Sequence, residues 1–425
     1  MKRILVLFPK EWDRLEFSRP EYAGRYEFVY AGFDLFRFPE NLRLASFDVF
    51  RFVGEVVQRF RGERLDGVFS NNEYFGALVA AVVAEKLGLP GNHPRVVLTA
   101  QHKFYARKAF AEAAPEASPR FAAFAYTVRD RGEFPFELPC FVKPVKATYS
   151  VLARRIDSFA ELRRHLSFWP FEKFVIKRLV KPFNDLLPWY TDFSVNAHNM
   201  IAEEILPGHQ VNVDGYVHEG NVRVLGVIDE NLFPGTYAFR SFEYPSRVPA
   251  PVQARMRELA VKMLAGISYR QGFFNLEFAW DEETGRIRVI ELNARMASQL
   301  AVFYEWVDGI NPYRMLLELA CGEAPSHERA APQFRHAASF ALRKFDGRPL
   351  AARPTAAQIA GVSRDFPEAR LMLYLKRGLA LANEMKWLGS YRYAVVNLGA
   401  GSSADLQQRC HDLRRRLFAE SDLPA

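Results

Sequence analysis

Two carboxylates, Glu277 and Glu291, are the residues of this chain whose spacing points most directly to chemistry. Residues 272–280 and 286–295 have the apolar and polar pattern of strands, and the turn Asp281–Gly285 joins them. In the simplest hairpin register the two carboxylates face each other, about 4.5–5.5 Å apart at Cβ. Opposed like charges destabilise a sheet unless a cation compensates, and Mg²⁺ prefers carboxylate and amide oxygens. The pair therefore predicts a divalent-metal site.

Three further side chains share the face of this carboxylate pair. Because side chains alternate along a strand, Asn275, Asn293 and Arg295 fall on the same side of the hairpin as the two acids. The alternative is a solvated face that carries two ordinary glutamates. Apolar neighbours on both strands and the nearby arginine make that alternative the weaker one.

The composition is that of a globular protein with room for two or three domains. Of 425 residues, 49% are hydrophobic and 25% are charged. No apolar run approaches the ~18 residues of a membrane span, and the first residues lack a signal-peptide cleavage site. The three cysteines are far apart in the sequence, as is typical of a reducing compartment. These features predict a cytoplasmic protein without a membrane partner.

The formal net charge of +8 is concentrated near the C-terminus, where residues 331–425 carry 15 Lys and Arg against 8 Asp and Glu. A basic surface attracts nucleic acid or small anions. The run Arg414–Arg416, however, lies in a stretch whose apolar residues recur at helical spacing from Leu406 to Leu417. We interpret it as the solvent face of a terminal helix and do not expect a nucleic-acid partner.

The hydrophobic pattern divides the chain into three units. Residues 1–100 predict an α/β unit, but no Gly-x-Gly-x-x-Gly follows its first strand, so a dinucleotide site is not predicted. Residues 101–325 mix strands and helices, and residues 326–425 predict a small basic α/β unit. The predicted strands are Arg3–Phe8, Leu65–Phe69, Leu138–Val145, Met200–Leu206, Val211–Val217, Val222–Asp229, Ala337–Arg343 and Tyr391–Asn397, besides the hairpin above. The predicted helices are Arg51–Arg59, Asn72–Leu87, Ala100–Ala113, Ser158–His165 and Val252–Leu264, and Asn231–Arg247 is predicted to be an aromatic loop.

These pieces, in this order, resemble an ATP-grasp enzyme of the carboxylate–amine ligase branch. The resemblance covers roughly residues 65 to 325. It implies a Rossmann-like pre-ATP-grasp domain at 1–100, an α+β ATP-grasp domain at 101–325 and a small C-terminal α/β domain at 326–425. The matching segments are Phe141-Val142-Lys143-Pro144, Ala202-Glu203-Glu204-Ile205-Leu206-Pro207-Gly208, Val213-Asp214-Gly215-Tyr216-Val217, Asn275-Leu276-Glu277 and Glu291-Leu292-Asn293-Ala294-Arg295, continuing through Asp229 and Phe242-Glu243-Tyr244-Pro245.

The resemblance also implies a role for individual residues. It makes Arg295 and Lys143 catalytic, and it assigns ATP binding to Lys103, Lys143, Glu203, Glu204, Leu206 and Gln210. The two lysines reach the phosphates, residues 203–206 form the adenine hinge, and Gln210 lies near the ribose. One or two Mg²⁺ ions, or Mn²⁺, are held by Glu277, Glu291 and Asn293. We also expect contacts to substrate from Asn275, Arg240, Glu243 and Arg247.

Several of these roles have plainer alternatives. Lys143 could be a strand-edge lysine, and Glu203 with Glu204 could lie solvated beside a turn. Lys103 could belong to a helix surface shared with Arg107 and Lys108. Where many family members have a glycine-rich phosphate loop, this chain has the glycine-free residues 146–150. There Lys146, Thr148 and Ser150 could supply side-chain contacts to phosphate instead.

The expected activity is ATP-dependent formation of an amide bond. ATP phosphorylates a substrate carboxylate, and an amine then attacks the acyl phosphate, releasing ADP and phosphate. The partners are then a small carboxylate and a small amine, and a homodimer is compatible with the sequence. Two alternatives are a biotin-carboxylase-like enzyme that phosphorylates bicarbonate, and a nucleotide-binding regulator without ligase activity.

Overall fold

The structure, a computed structural model, describes residues 1–35, 37, 39–148 and 151–422. Of the predicted glycine-free phosphate loop, Tyr149 and Ser150 lie outside these residues, so that prediction is not examined at those two positions. Within the described ranges, no helix has both the length and the apolar character needed to cross a membrane.

The N-terminal unit is built around a parallel sheet with strand order β2-β1-β3. Residues Ile4–Leu7 at its centre are fully buried, as expected for a parallel strand covered on both faces. The elements are β1 (Lys2–Leu7), α1 (Glu11–Phe17), β2 (Tyr26–Ala31), α2 (Val49–Phe60), β3 (Gly67–Phe69), α3 (Gly76–Leu87), α4 (Pro94–Gln101) and α5 (Lys103–Ala113).

Two predicted helix boundaries in this unit were wrong. Helix α3 begins at Gly76 rather than at Asn72, because the Asn72 side chain accepts a hydrogen bond from the backbone N–H of Tyr74 and forms a turn there. The predicted helix 100–113 is two helices that meet at His102, whose Nδ1 accepts the backbone N–H of Tyr105. This break places Lys103 at the first position of α5.

The second unit is a four-stranded antiparallel sheet with order β4-β7-β5-β6, which we call the lid sheet. Its longest helix, α7, has 21 residues and was not predicted, since two interior prolines, Pro182 and Pro188, interrupt the usual helical signal. Pro170 occupies its first turn, where the missing N–H costs nothing. The elements are β4 (Phe121–Ala125), β5 (Cys140–Pro144), β6 (Arg154–Ile156), α6 (Phe159–His165), α7 (Pro170–Tyr190) and β7 (Asn199–Glu203).

The main sheet has eight strands in the described part of the chain, in the order β12-β11-β8-β9-β10-β13-β15-β14. The last three of these are β13 (His336–Lys344), β15 (Tyr391–Ala400) and β14 (Arg370–Leu373). The register predicted for the hairpin is confirmed, because Glu277 pairs directly with Glu291 and Asn275 with Asn293. Its elements before residue 326 are β8 (His209–His218), β9 (Asn221–Leu232), β10 (Phe239–Tyr244), α8 (Ala250–Gly266), β11 (Gly272–Trp280), β12 (Ile287–Asn293), α9 (Ala301–Asp308) and α10 (Pro312–Ala320).

The aromatic loop predicted for Asn231–Arg247 was wrong over about half of its length. Strand β9 continues to Leu232, and β10 returns antiparallel to it, with Ser241 opposite Asn231. The aromatic residues that suggested a loop favour a strand when neighbouring strands are available on both sides. Here β10 lies between β9 and a strand that comes from far along the chain, β13.

The C-terminal unit adds three strands to the same sheet, which therefore continues across residue 325. The remaining elements are β13 (His336–Lys344), α11 (Ala356–Asp365), β14 (Arg370–Leu373), α12 (Gly378–Leu388), β15 (Tyr391–Ala400) and α13 (Ser403–Leu417). The amphipathic terminal helix is confirmed, since its predicted apolar residues from Leu406 to Leu417 are buried. Trp12 of α1 packs with Met372 and Val395, which joins the first and last units.

Candidate active site

One cavity brings together most of the residues predicted to act. It lies where the lid sheet faces the main sheet, and the N-terminal and C-terminal units complete its wall. The predicted residues that line it are Lys103, Lys143, Glu203, Glu204, Leu206, Gln210, Asn275, Glu277, Glu291, Asn293 and Arg295. The described residues that line it also include several that sequence reasoning did not assign: Lys10, Trp12, Glu73, Asn212, Glu230, Gln299, Tyr374 and Arg392.

The opposed carboxylates have different electrostatic surroundings in this cavity. Burial and the nearby Glu291 and Glu230 carboxylates raise the pKa of Glu277 well above its usual value. Burial acts in the same direction on Glu291, but Lys103 and Lys143 outweigh it and hold the pKa of Glu291 below the ordinary value. The surroundings thus favour ionisation of Glu291 over ionisation of Glu277.

A network of side-chain amides holds the two acids in place. The Asn293 nitrogen donates to Asn275 Oδ1 at 2.9 Å and to Glu277 Oε1 at 3.0 Å. The Asn275 nitrogen donates in turn to Asp214 Oδ1 at 2.7 Å. Asp214 is buried and accepts a further hydrogen bond from the Tyr304 hydroxyl at 3.1 Å. Burial raises the pKa of Asp214 to about 6.

Lys103 is part of the cavity rather than of an open helix surface. Its ammonium lies 3.1 Å from Glu291 Oε2, with 12% of the side chain exposed. It also donates to the backbone carbonyl of Ala147 at 2.8 Å, in the loop that follows β5. The cation therefore sits between a predicted metal ligand and the predicted phosphate loop.

Lys143 belongs to a buried ionic cluster that the sequence analysis identified only in part. Its ammonium lies 2.7 Å from Glu203 Oε2, and Arg107 binds the other oxygen of the same carboxylate. Burial lowers the pKa of Lys143, although Glu203 acts against it. Burial alone would raise the pKa of Glu203, but the two cations outweigh it and lower that pKa. Arg107 could have been found from its spacing, because it lies one helical turn after Lys103.

Arg295 pairs with an acid from the N-terminal unit. Its Nε lies 3.0 Å from Glu73 Oε2, yet neither buried atom makes a hydrogen bond within the described residues. Lys146 donates to the Glu73 carbonyl at 2.6 Å, and burial lowers the pKa of Lys146 to about 8. The Thr148 hydroxyl is likewise buried without a partner in the described ranges. Buried polar groups of this kind are typical of a site that is completed by a ligand.

Glu230 is a third carboxylate beside the pair, and the sequence analysis missed it. Burial raises the pKa of Glu230 to about 7, while a hydrogen bond from Asn212 at 3.0 Å acts in the opposite direction. Glu230 pairs with Gln210 across the β8–β9 hairpin. A β-bulge between Asp214 and Gly215 shifts this hairpin by one residue, so its turn alone does not place Glu230 on this face.

The segment predicted to hold adenine follows the last residue of β7. Glu204, Ile205 and Leu206 line the cavity beyond the strand. The Glu204 carboxylate is turned toward two arginines, 3.6 Å from Arg120 and 3.7 Å from Arg288, and its backbone N–H donates to the Arg120 carbonyl. The adenine contacts assigned to Glu204 and Leu206, and the ribose contact assigned to Gln210, stay predictions.

Three residues expected to touch substrate lie elsewhere. Arg240, Glu243 and Arg247 are not among the described residues that line the cavity. Glu243 accepts hydrogen bonds from Ser241 and Gln407, and the Arg247 backbone donates to a buried aspartate in β9. Asn275 is the member of the predicted substrate set that lines the cavity. Substrate contact by these four residues stays a prediction.

The carboxylate pair has the chemistry of a site for a hard cation. Both hydrogen bonds of the Asn293 amide come from its nitrogen, so its oxygen is the atom left for a ligand. The mutual repulsion of Glu277 and Glu291 is what a divalent cation relieves. No group of three or more His, Cys, Asp or Glu in the described ranges forms a ready-made metal site. Nucleotide phosphates would have to supply the remaining ligands.

Comparison with known proteins agrees with this geometry. A model of the ATP-grasp domain matches residues 136–302, which contain β5, β7 and the carboxylate hairpin. A comparison with curated protein sequences yields no match.

Solved structures share the fold of nearly the whole chain. An L-amino acid ligase from Bacillus licheniformis superposes with a TM-score of 0.76 at 19% sequence identity, over 98% of each chain. A phosphoribosylglycinamide synthetase from Anaerococcus prevotii gives 0.63 at 14% identity, also over 98% of each chain. An N5-carboxyaminoimidazole synthetase from Staphylococcus aureus gives 0.62 at 13% identity, over 98% of this chain and 97% of that one.

These likenesses establish a mixed α/β fold in three parts, with a parallel N-terminal sheet and antiparallel central sheets. The matched domain implies ATP binding. Residues 136–302 are therefore an ATP-grasp domain, within a fold that the chain shares over nearly its whole length with an L-amino acid ligase.

Proposed function

We propose that this protein is an ATP-dependent carboxylate–amine ligase that forms an amide bond through an acyl phosphate. The observation that carries the proposal is the meeting, in one cavity, of the opposed acids Glu277 and Glu291 with the cations Lys103, Lys143 and Arg295. Such a set neutralises and orients phosphates, which is most of what phosphoryl transfer requires of a protein. The similarity in fold to an L-amino acid ligase supports amino acids as the first substrates to test.

In the first step a substrate carboxylate oxygen attacks the γ-phosphorus of ATP. A P–O bond forms to the acid, the P–O bond to ADP breaks, and ADP leaves. Lys103 and Lys143 bind phosphate charge that is already present in ATP, whereas Arg295 binds charge that moves toward the acyl phosphate. Mg²⁺, held by Glu277, Glu291 and the Asn293 oxygen, would neutralise phosphate charge during this transfer.

In the second step the amine nitrogen attacks the carbonyl carbon of the acyl phosphate. A C–N bond forms, the C–O bond to phosphate breaks, and the nitrogen loses a proton to water. The site favours this reaction by holding the acyl phosphate and the amine together, which makes the attack effectively unimolecular. The products are an amide, ADP and inorganic phosphate.

The proposal is tested by measuring ADP and phosphate release with pools of amino acids, with bicarbonate and with RNA, and by mass spectrometry of the products. We expect release to require both a carboxylate and an amine, with an amide product of matching mass. Glu291→Gln should abolish turnover, while Glu282→Gln, an exposed change in the turn of the same hairpin, should not. Stimulation by bicarbonate or RNA alone, or full activity in Glu291→Gln, would refute the ligase assignment.

A further inference from the structure

A buried carboxylate outside the cavity contacts two segments that hold Arg295. Asp13, in α1, is fully buried and is not among the described residues that line the cavity. We propose that Asp13 is a positioning residue, which fixes the Arg295 guanidinium in the orientation that the transferred phosphoryl group requires. This inference rests on the proposed function and extends it to a residue of the N-terminal unit.

The Asp13 carboxylate accepts hydrogen bonds from neutral groups on both of its oxygens. Oδ2 accepts the backbone N–H of Lys10 at 3.0 Å. Oδ1 accepts the Asn71 side-chain nitrogen at 2.8 Å, the Tyr313 hydroxyl at 3.1 Å and the Ser298 hydroxyl at 3.3 Å. Each oxygen thus accepts from an N–H group, as an ionised carboxylate can.

Packing alone does not explain a carboxylate at this position. Within the described part of the chain, no lysine, arginine or histidine forms an ion pair with Asp13, and its partners are neutral. Removing a carboxylate from water without a counter-ion is costly, and apolar residues would fill the same space at a lower cost. The carboxylate is therefore better explained by the arrangement that it imposes on its donors.

The first connection from Asp13 to Arg295 runs through the loop between β3 and α3. Asn71, which donates to Asp13, is buried, and Glu73 lies two residues later in the same loop. Hydrogen bonds within residues 70–74 fix the shape of this loop. Glu73 Oε2 lies 3.0 Å from Arg295 Nε. Asp13 therefore fixes the loop that carries the counter-ion of Arg295.

The second connection runs through the segment that follows Arg295. The Ser298 hydroxyl donates to Asp13, and the Ser298 backbone N–H donates to the Met296 carbonyl at 3.1 Å. The Arg295 guanidinium donates through Nη1 to the same carbonyl at 3.4 Å. Asp13 thus fixes the acceptor of Nη1 through Ser298, and it fixes the carboxylate beside Nε through Asn71. Both connections end at the guanidinium that is proposed to stabilise the transferred phosphoryl group.

The test is a calorimetric titration of inorganic phosphate into the full chain saturated with Mg·ADP. Phosphate is the group that Arg295 is proposed to hold, and its binding can be measured before the carboxylate and amine substrates are known. Asp13→Asn leaves one oxygen for two N–H donors, so we expect it to weaken phosphate binding roughly tenfold, the size of one lost charge-assisted hydrogen bond. The affinity for Mg·ADP itself should not change, because Lys103 and Lys143 are untouched.

Two further variants separate positioning from stability, and they test the inference even if Asp13→Asn does not fold. Asn71→Ala breaks the first connection at a residue that is not among the described lining of the cavity, and it should also weaken phosphate binding. Tyr313→Phe removes a hydroxyl from the same Asp13 oxygen, but on the side that leads to α10. It should lower the melting temperature and leave the phosphate affinity unchanged. Equal effects of Asn71→Ala and Tyr313→Phe on phosphate affinity, or no effect of Asn71→Ala, would overturn the inference.

A double-variant comparison shows whether Asp13 acts through Arg295. In the unchanged protein, Asp13→Asn should lower the rate of phosphate release from ATP by about 10–100-fold and leave the KM for ATP unaffected. In the Arg295→Ala background it should lower that rate no further, because the residue through which it acts is gone. Losses that multiply in the double variant would place the effect elsewhere and overturn the inference.

The binding readout separates this inference from the proposed function. Unchanged phosphate affinity in Asp13→Asn, together with normal amide formation, would reject the positioning role and leave the ligase assignment intact. Weaker phosphate binding in the variants, without amide formation from any pool by the unchanged protein, would reject the ligase assignment and retain the role of Asp13. No phosphate binding by the unchanged protein would remove the group that Arg295 is proposed to hold, and would also overturn the inference.

Discussion

The guanidinium of Arg295 lies beside the carboxylate of Glu73, with Nε 3.0 Å from Oε2. Glu73 belongs to the N-terminal unit and Arg295 follows the last strand of the carboxylate hairpin, so the contact links the two units at the cavity. The same glutamate also contacts Lys146 in the predicted phosphate loop. Glu73 thus positions two cations that would otherwise repel each other.

The first prediction concerns Glu73→Gln, which keeps the volume of the side chain and removes its charge. With Arg295 less well oriented, we expect kcat to fall about 10–100-fold, as when an outer-shell partner is lost. The KM for ATP should change far less, because Lys103 and Lys143 are untouched. Steady-state kinetics of Glu73→Gln and of the unchanged protein measure both parameters. Glu63→Gln, a change at an exposed residue of the same unit, is the control. A normal kcat in Glu73→Gln would show that Arg295 does not need this partner.

The second prediction concerns Glu277→Gln without metal. The pKa of Glu277 is raised by burial and by its acidic neighbours, so its ionisation destabilises the folded chain. The free energy of unfolding should therefore fall as pH rises above the ordinary glutamate pKa. Glu277→Gln should abolish the part of this fall that comes from ionisation of Glu277. In EDTA at pH 8, we expect Glu277→Gln to melt higher than the unchanged protein.

The same variant should lose most of the stabilisation that Mg·ATP gives by mass action. Thermal melts with and without Mg·ATP measure both effects. Equal Mg·ATP shifts in the two proteins would argue against Glu277 as a metal ligand.

The third prediction is a pH dependence at Asp214. In the folded chain the pKa of Asp214 is about 6, above the ordinary value of 3.8. Between these two pH values the folded chain therefore keeps a proton on Asp214 that the unfolded chain loses. The free energy of unfolding should fall by roughly 3 kcal/mol through this group as pH rises from about 3 to about 7. The free energy of unfolding is measured against pH for both Asp214→Asn and the unchanged protein. The difference between the two curves isolates the contribution of Asp214. A difference that is flat over this pH range would rule out a raised pKa at Asp214.

The fourth prediction contrasts Lys143 with Arg295. Lys143 meets charge already present in ATP, so Lys143→Ala should chiefly raise the KM for ATP. It should also lower the melting temperature, because Glu203 then keeps Arg107 as its remaining cation. Arg295→Ala should instead lower kcat by ~10²-fold or more, as when one transition-state donor is removed. If both variants show the same kinetic pattern, the two cations do not have the separate roles assigned to them.

Local patterns predicted the fold well where the partner strand was close in sequence. The Glu277 and Glu291 pairing followed from the length of a hairpin turn, and the structure has that register. The prediction failed at β10, because one of its neighbours, β13, comes from the far side of residue 325. A local pattern of aromatic residues cannot reveal a pairing made over such a distance. Helix α7 was not predicted for a different reason. Its interior prolines lower the helix propensity, and tertiary packing stabilises the helix despite them.

The sequence predicted the candidate-site residues that lie within single motifs. Predicted residues of the strands and the hairpin line one cavity, but their counter-ions were not predicted. Glu73 and Arg107 come from other elements, and each contacts a predicted residue that is remote in sequence. The pair of Glu73 and Arg295 is set by how the units pack, which the alternation of a strand does not encode.

The pairing of Tyr244 with Ala337 through Ser241 with Phe340 joins the two sides of residue 325 by backbone hydrogen bonds. A protein truncated at that residue would expose the whole length of β10 as an open edge, and the excised C-terminal fragment would expose β13. Open edges of this kind recruit strands from other molecules and promote aggregation. Shortened versions of this protein should therefore be harder to keep monodisperse than the full chain, and the C-terminal unit is best retained in any preparation.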